Sequence, residues 1–273
     1  MRLRQVFLWG LMLIAAPALA QSGPAPQPAS TDWPVYSGTY SSQRYSPLTQ
    51  INTTNAHRMQ VKWVYHVAGS DELEMTPVVK DGIMYIAQYN RVDAIDARTG
   101  NVVWRYQRAP ASTAAYRGTS VYDGKVYVAT TDAHLVALNA LNGAVEWDVP
   151  TASGRRLSGA APYAVGGKVI VGILDQPNGF IEAYDAKTGK HAWTWHAIPK
   201  PGDPEYKTWS GNTKDGGGAV WISGSFDPEQ NAIIYGTGQP NPPYSNEVRE
   251  GDNLYSDSIV AIDIDTGKLK WHF

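Results

Sequence analysis

Ala94–Trp104 reads AIDARTGNVVW, and the chain repeats that phrase at Ala137–Trp147 (ALNALNGAVEW), Ala183–Trp193 (AYDAKTGKHAW) and Ala261–Trp271 (AIDIDTGKLKW). Each copy runs Ala, an apolar residue, Asp or Asn, two variable residues, Thr or Asn, Gly, three residues, Trp. Alternation of apolar and polar residues ahead of the Asp or Asn fits a half-buried strand. The short side chain of Asp96, Asn139, Asp185 or Asp263 is suited to accept a hydrogen bond from the turn backbone two residues on. Gly100, Gly143, Gly189 and Gly267 fall where a tight hairpin needs a positive φ. The tryptophan then lies on the return strand, where a large ring fills a seam.

The first three of these tryptophans are about 40–45 residues apart, a period that points to a propeller blade or another stacked array. A lone four-stranded sheet cannot cover both of its faces, so such sheets stack. The repeat therefore predicts an all-β fold, a β-propeller of four-stranded antiparallel blades with about four blades present. The first blade is expected over roughly 75–106, with a turn at Asp81-Gly82. The second spans roughly 119–149, with a turn at Asp123-Gly124, and the third roughly 160–195, with a turn at Gly166-Gly167. The fourth should use strands at Ala219–Ser225, Ala232–Gly236, Ser258–Asp263 and Leu269–Phe273. Two long loops, His196–Gly218 and Thr237–Asp257, swell it, and long insertions on one face of a repeat array are usually functional. Met59–Val67 (MQVKWVYHV) reads as a strand with Trp63 in the outer-strand place. Four blades leave a wide ring open and a strand edge bare. The expectation is a fragment, or a chain closed by a partner such as the missing half of the propeller.

The 273 residues carry a net charge of −2 and 18% charged side chains. No basic field is available for nucleic acid. Residues 1–20 read as a secretory signal peptide: Arg2 and Arg4, the apolar stretch Val6–Leu19, then Ala18-Leu19-Ala20 as a small-x-small cleavage site. Residues 21–31 are a Pro/Ser/Ala-rich flexible leader and 32–273 the repeat domain, so a periplasmic location is expected. With no cysteine there is no disulfide, thiolate metal site or covalent haem site. The six histidines show no metal-ligand spacing, and no Gly-rich phosphate loop links a strand to a helix.

The segment Trp33–Asn55, the repeated phrase and Trp221–Pro240 (WISGSFDPEQNAIIYGTGQP) together resemble the quinoprotein alcohol dehydrogenases. That resemblance covers Asp32–Phe273. It implies the first half of an eight-bladed propeller that holds pyrroloquinoline quinone (PQQ) and usually Ca²⁺ on its axis. It also implies a small alcohol as substrate and a periplasmic electron acceptor such as cytochrome c or a quinone. Phe226 stands where the family usually has Tyr. The implied chemistry is hydride transfer from alcohol to quinone, with a metal as Lewis acid and a carboxylate as base.

By the same resemblance, Glu74 (in LEMTP) contacts the cofactor rim and Arg117 (in AAYRGTSV) pairs with a quinone carboxylate. Trp221 stacks flat on the quinone, and Ser158 (in LSGAAP) supplies a hydroxyl. Other positions depart from the family. Its adjacent cysteine pair is replaced by Ser112-Thr113-Ala114-Ala115. Its metal-binding Glu belongs to the loop Leu174–Gly179, which holds no Glu, so Asp175 is the substitute, and Gln239 replaces the metal-binding Asn. The family's general-base Asp lies a little beyond the fourth docking tryptophan, past Phe273. These departures predict that residues 21–273 alone do not turn over alcohols. They also keep open a second reading, a propeller scaffold of the cell envelope with no cofactor.

Overall fold

The computed structural model describes residues 31–67, 73–88, 90–109, 117–151, 160–173, 178–210, 216–245 and 247–273. The stretch expected to be a signal peptide, all but the last residue of the expected leader, Ser112–Ala115, Ser158 and Asp175 lie outside them. The described residues form sixteen strands in four antiparallel sheets, each with its strands in sequence order. Blade 1 holds β1 (Val78–Lys80), β2 (Ile83–Gln88), β3 (Arg91–Asp96) and β4 (Val102–Gln107). Blade 2 holds β5 (Ser120–Tyr122), β6 (Lys125–Ala129), β7 (His134–Asn139) and β8 (Val145–Pro150). Blade 3 holds β9 (Tyr163–Val165), β10 (Lys168–Ile173), β11 (Phe180–Asp185) and β12 (His191–His196). Blade 4 holds β13 (Ser225–Asp227), β14 (Ala232–Gly236), β15 (Ile259–Asp263) and β16 (Leu269–His272).

The repeated phrase works as its residue types demand. The carboxylate or amide oxygen at its third position accepts from the backbone two residues on: Arg98 N to Asp96 at 2.8 Å, Leu141 N to Asn139 at 3.0 Å, Lys187 N to Asp185 at 3.1 Å and Asp265 N to Asp263 at 3.2 Å. The four glycines have φ between 72° and 76°. Each of the first three tryptophans packs on the repeat glycine of the following blade. A Cβ on Gly143 would stand 2.6 Å from the Trp104 ring, one on Gly189 2.9 Å from Trp147, and one on Gly267 2.7 Å from Trp193. The indole N–H then donates into that same turn, Trp104 to Ala140 O at 2.9 Å, Trp147 to Ala186 O at 3.2 Å and Trp193 to Ile264 O at 2.9 Å. The Trp is thus a wedge and a tether at once, and glycine is required because any side chain would occupy the ring's place.

Trp63 follows the same rule: its ring lies 2.8 Å from where a Gly100 Cβ would be, and it donates to Ala97 O at 3.1 Å. Yet Met59–Val67 forms no strand, contrary to the sequence expectation. A ladder needs a neighbour on its inner side, and no described residue pairs there. The segment is held instead by Trp63 and by Tyr65, whose hydroxyl donates to the buried Asp93 at 2.8 Å. Asp93 also accepts from Arg91 at 2.8 Å and Arg105 at 2.6 Å.

A second correction concerns the inner strand of blade 4, expected at Ala219–Ser225 and found at Ser225–Asp227. Residues 219–224 are wedged between blades. A Cβ on Gly172 would meet Val220 O at 2.2 Å, and Gly238 N donates to Ala219 O at 2.8 Å. That backbone bonds two different neighbours in turn, so it makes no continuous ladder. Near the axis, the N-terminal segment crosses the inner strands. Trp33 pairs with Val79, Pro34 O accepts from Val121 N at 2.8 Å, and Tyr40 O accepts from Phe226 N at 2.7 Å.

Candidate functional site

In every blade the chain enters at the start of the inner strand and returns to that same end after the second strand, because neighbours are antiparallel. Residues just ahead of β1, β5 and β13 therefore share one end, here called the entry end. Glu74, Arg117 and Trp221 occupy those three positions, and Gln239 follows β14 at the same end. Ser158 and Asp175 fall in the equivalent stretches of blade 3, outside the described residues.

The first three meet. Arg117 Nη2 lies 3.1 Å from a Glu74 carboxylate oxygen, and its guanidinium carbon sits 4.9 Å from the centroid of the Trp221 ring. Backbone contacts between blades set this arrangement. Thr76 N donates to Arg117 O at 2.9 Å, and a Cβ on Gly118 would meet Thr76 O at 2.8 Å, so the lead-ins to β1 and β5 run side by side. Glycine at 118 is what permits that approach. Val220, next to Trp221 in the chain, is fully buried, while Trp221 itself remains 40% exposed. A large aromatic ring left open beside a guanidinium and a carboxylate is a surface for a flat, charged ligand.

The Gly-Gly-Gly stretch supplies the wall beside it. Gly217 pairs with Asn178 on one side and Pro240 on the other. A Cβ on Gly217 would fall 2.5 Å from Gln239 O, and one on Gly179 2.0 Å from Gly218 O. Three backbones thus lie closer than side chains allow. Gln239 is exposed, and its main-chain carbonyl accepts from Gly218 N at 3.0 Å. Asn178 carries a signal that reading the loop for carboxylates overlooked. Its Oδ1 is buried without a hydrogen-bond partner among the described residues. A buried amide oxygen of that kind calls for a donor or a cation. Among the described residues, no three His, Cys, Asp or Glu side chains stand close enough to hold a metal ion.

The two long loops stand at the entry end and lock to each other. Trp209, fully buried, donates to Leu254 O at 2.6 Å. Asn253 N donates to Thr208 O at 3.0 Å, and Ser210 Oγ to Glu250 O at 2.9 Å.

The PQQ family model, described as the glucose/ethanol/alcohol dehydrogenase β-propeller domain, matches residues 33–273. The chain belongs to this PQQ propeller family. It is 38% identical to the quinohemoprotein alcohol dehydrogenase of Comamonas testosteroni, over 99% of this chain and 45% of that protein. It is likewise 38% identical to quinohemoprotein alcohol dehydrogenase ADH IIB of Pseudomonas putida, over 91% of this chain and 40% of that one. The crystal structure of the Comamonas testosteroni quinohemoprotein alcohol dehydrogenase superposes with a TM-score of 0.81 at 40% identity, covering 89% of this chain and 41% of that chain. A europium-containing methanol dehydrogenase gives 0.82 at 29% identity, over 90% and 49%. The chain spans less than half the length of these relatives.

Proposed function

We propose that the entry end of this PQQ-family chain binds pyrroloquinoline quinone and serves oxidation of a small alcohol. One observation carries the reading: Arg117 bonded to Glu74 while lying over the exposed Trp221 ring. When bound, the quinone supplies the two-electron sink for hydride from an alcohol carbon. The chain's own residues bind and orient it. Arg117 presents a planar fork whose geometry matches a carboxylate. Glu74 holds that fork at the rim of Trp221, and Trp221 offers the flat face. The guanidinium now covers part of this face. A planar polycarboxylate stacking on Trp221 takes its place on the ring while one of its carboxylates remains the guanidinium's charge partner. Ser158 adds a hydroxyl from the corresponding stretch of blade 3.

A cation beside the quinone would draw on neutral and acidic oxygens of the entry end. The candidates are Asp175, the Gln239 amide and the orphaned Asn178 Oδ1, ligand types that Ca²⁺ accepts. The described donors do not complete a coordination shell, so no step of the reaction is routed through a metal. Export by residues 1–20 would place the protein in the periplasm, where a cytochrome c or a quinone takes the electrons.

The test is binding. The chain is titrated with PQQ while tryptophan fluorescence and quinone absorbance are followed. Saturable quenching is expected. It should weaken about tenfold or more in Arg117→Ala, in line with a lost charge-assisted bond, and most of it should vanish in Trp221→Leu. Absence of saturable binding overturns the proposal and leaves a scaffold without cofactor. Adding Ca²⁺ and then a chelator reads the metal sites separately.

A further inference from the structure

The ring of Trp221 and the guanidinium lying on it are held very differently. The backbone ahead of the ring is stitched to the start of the long loop Thr237–Asp257: Gly238 N donates to Ala219 O at 2.8 Å, and Asp257 N to Gly238 O at 2.9 Å. A Cβ on Gly238 would stand 3.5 Å from Trp221 Nε1, so that loop lies along one edge of the indole. Arg117 comes to the ring from another blade. Its backbone is anchored, with its carbonyl accepting from Thr76 N at 2.9 Å. Its guanidinium stands at the end of a long, flexible stem. Two contacts place that group, the Trp221 ring at 4.9 Å and the Glu74 carboxylate at 3.1 Å. Both partners are partly open to water, Trp221 40% and the Glu74 side chain 44% exposed. At such exposure each contact shifts a population by about two- to fivefold. Of the two groups, the guanidinium is the one free to move.

This arrangement selects among flat ligands. Anything that stacks on the covered face of Trp221 must first displace the guanidinium. A ligand carrying a carboxylate gives that group a new charge partner beside the ring. A neutral ligand of the same outline gives it none and loses the contact that the ring already has. Glu74 holds the cover in place until a competing carboxylate arrives.

We propose that Arg117 and Glu74 form a latch over Trp221, opened by a planar ligand that carries a carboxylate and kept shut against an uncharged one. The inference rests on the quinone-binding reading above and adds a selection step to it. The sign of one effect separates a latch from simple charge pairing. A guanidinium that only pairs with the ligand is indifferent to an uncharged ligand, whereas one that covers the ring hinders it.

The full chain, carrying fluorine-labelled tryptophan, is titrated with PQQ and separately with its trimethyl ester, and followed by fluorine NMR. Trp221→Phe identifies the Trp221 resonance. Each ligand is compared with itself across variants, so the added bulk of the ester cancels. Arg117→Ala should weaken PQQ about tenfold or more and tighten the ester about two- to fivefold. It should also shift the Trp221 resonance in the free protein. Glu74→Gln unties the guanidinium without removing it and should tighten the ester about twofold; this exposed substitution carries the test should Arg117→Ala not fold. An ester affinity that is unchanged or lowered in the variants, or a free-protein Trp221 resonance that neither variant moves, overturns the latch. With PQQ binding to the parent intact, that result leaves the quinone reading standing. No PQQ binding to the parent overturns the quinone reading and the latch together.

Discussion

Replacing Gly143 by alanine tests the seam between blades 1 and 2, and Gly124→Ala is its control. Both glycines sit in blade 2 hairpin turns with nearly the same backbone, φ 74° and 71°. Their surroundings differ. A Cβ on Gly124 meets nothing within 4 Å, whereas one on Gly143 would lie 2.6 Å from Cε3 and 2.8 Å from Cδ2 of Trp104. Gly124→Ala should therefore cost only the left-handed backbone term, about 1–2 kcal/mol. Gly143→Ala adds overpacking of a ring that is tethered to Ala140 O, about 1–3 kcal/mol more. The sum, about 2–5 kcal/mol, is a large part of an ordinary domain's stability of about 5–15 kcal/mol. The assay is urea unfolding followed by far-ultraviolet circular dichroism. Trp104→Ala, at about 3–5 kcal/mol for a buried tryptophan, completes a double-mutant cycle. With the ring gone, Gly143→Ala should fall to the Gly124→Ala cost. Equal costs for the two glycine variants, or an undiminished Gly143→Ala cost in the Trp104→Ala background, would refute the wedge.

Three further outcomes follow from the hydrogen bonds. The Thr188 hydroxyl, then the Thr188 and Lys187 backbone, hold the Asp185 carboxyl below its usual pKa against the opposing effect of burial. A depressed folded-state value means stability that is present above the unfolded pKa of about 3.9 and lost as pH falls through the folded value. Asp185→Asn copies Asn139 of blade 2, so its deficit against the parent in urea unfolding should shrink between pH 6 and pH 3; a widening deficit contradicts the assignment. Asp93→Asn removes the charge that Arg91, Arg105 and Tyr65 share, and breaking a buried pair costs about 3–5 kcal/mol, less here because Arg105 is 46% exposed. Tyr65→Phe should free residues 59–67 without that loss, read as faster proteolytic cleavage there at unchanged unfolding midpoint.

The repeated phrase by itself determined the blades, their turns and the tryptophan seams. Each of its devices acts locally: Asp185 caps its own turn, Gly189 bends its own hairpin, and the period alone says that another such unit follows. Local chemistry of this kind is visible along a chain because the partners are neighbours in it. The family followed from residue types, and so did the choice of Glu74, Arg117 and Trp221 as candidates. Only the tertiary structure decided that these three touch, since they lead into three different blades and meet through the Thr76–Arg117 backbone pairing and the Arg117 guanidinium lying over the Trp221 ring. The same limit explains the misses. Met59–Val67 has a strand's pattern, but a strand requires a neighbour that pattern cannot provide. Ala219–Gly224 has a strand's composition, but its backbone is divided between blades. The orphaned oxygen of Asn178 is a fact about surroundings, fixed when distant segments close over it, and no stretch of sequence states it.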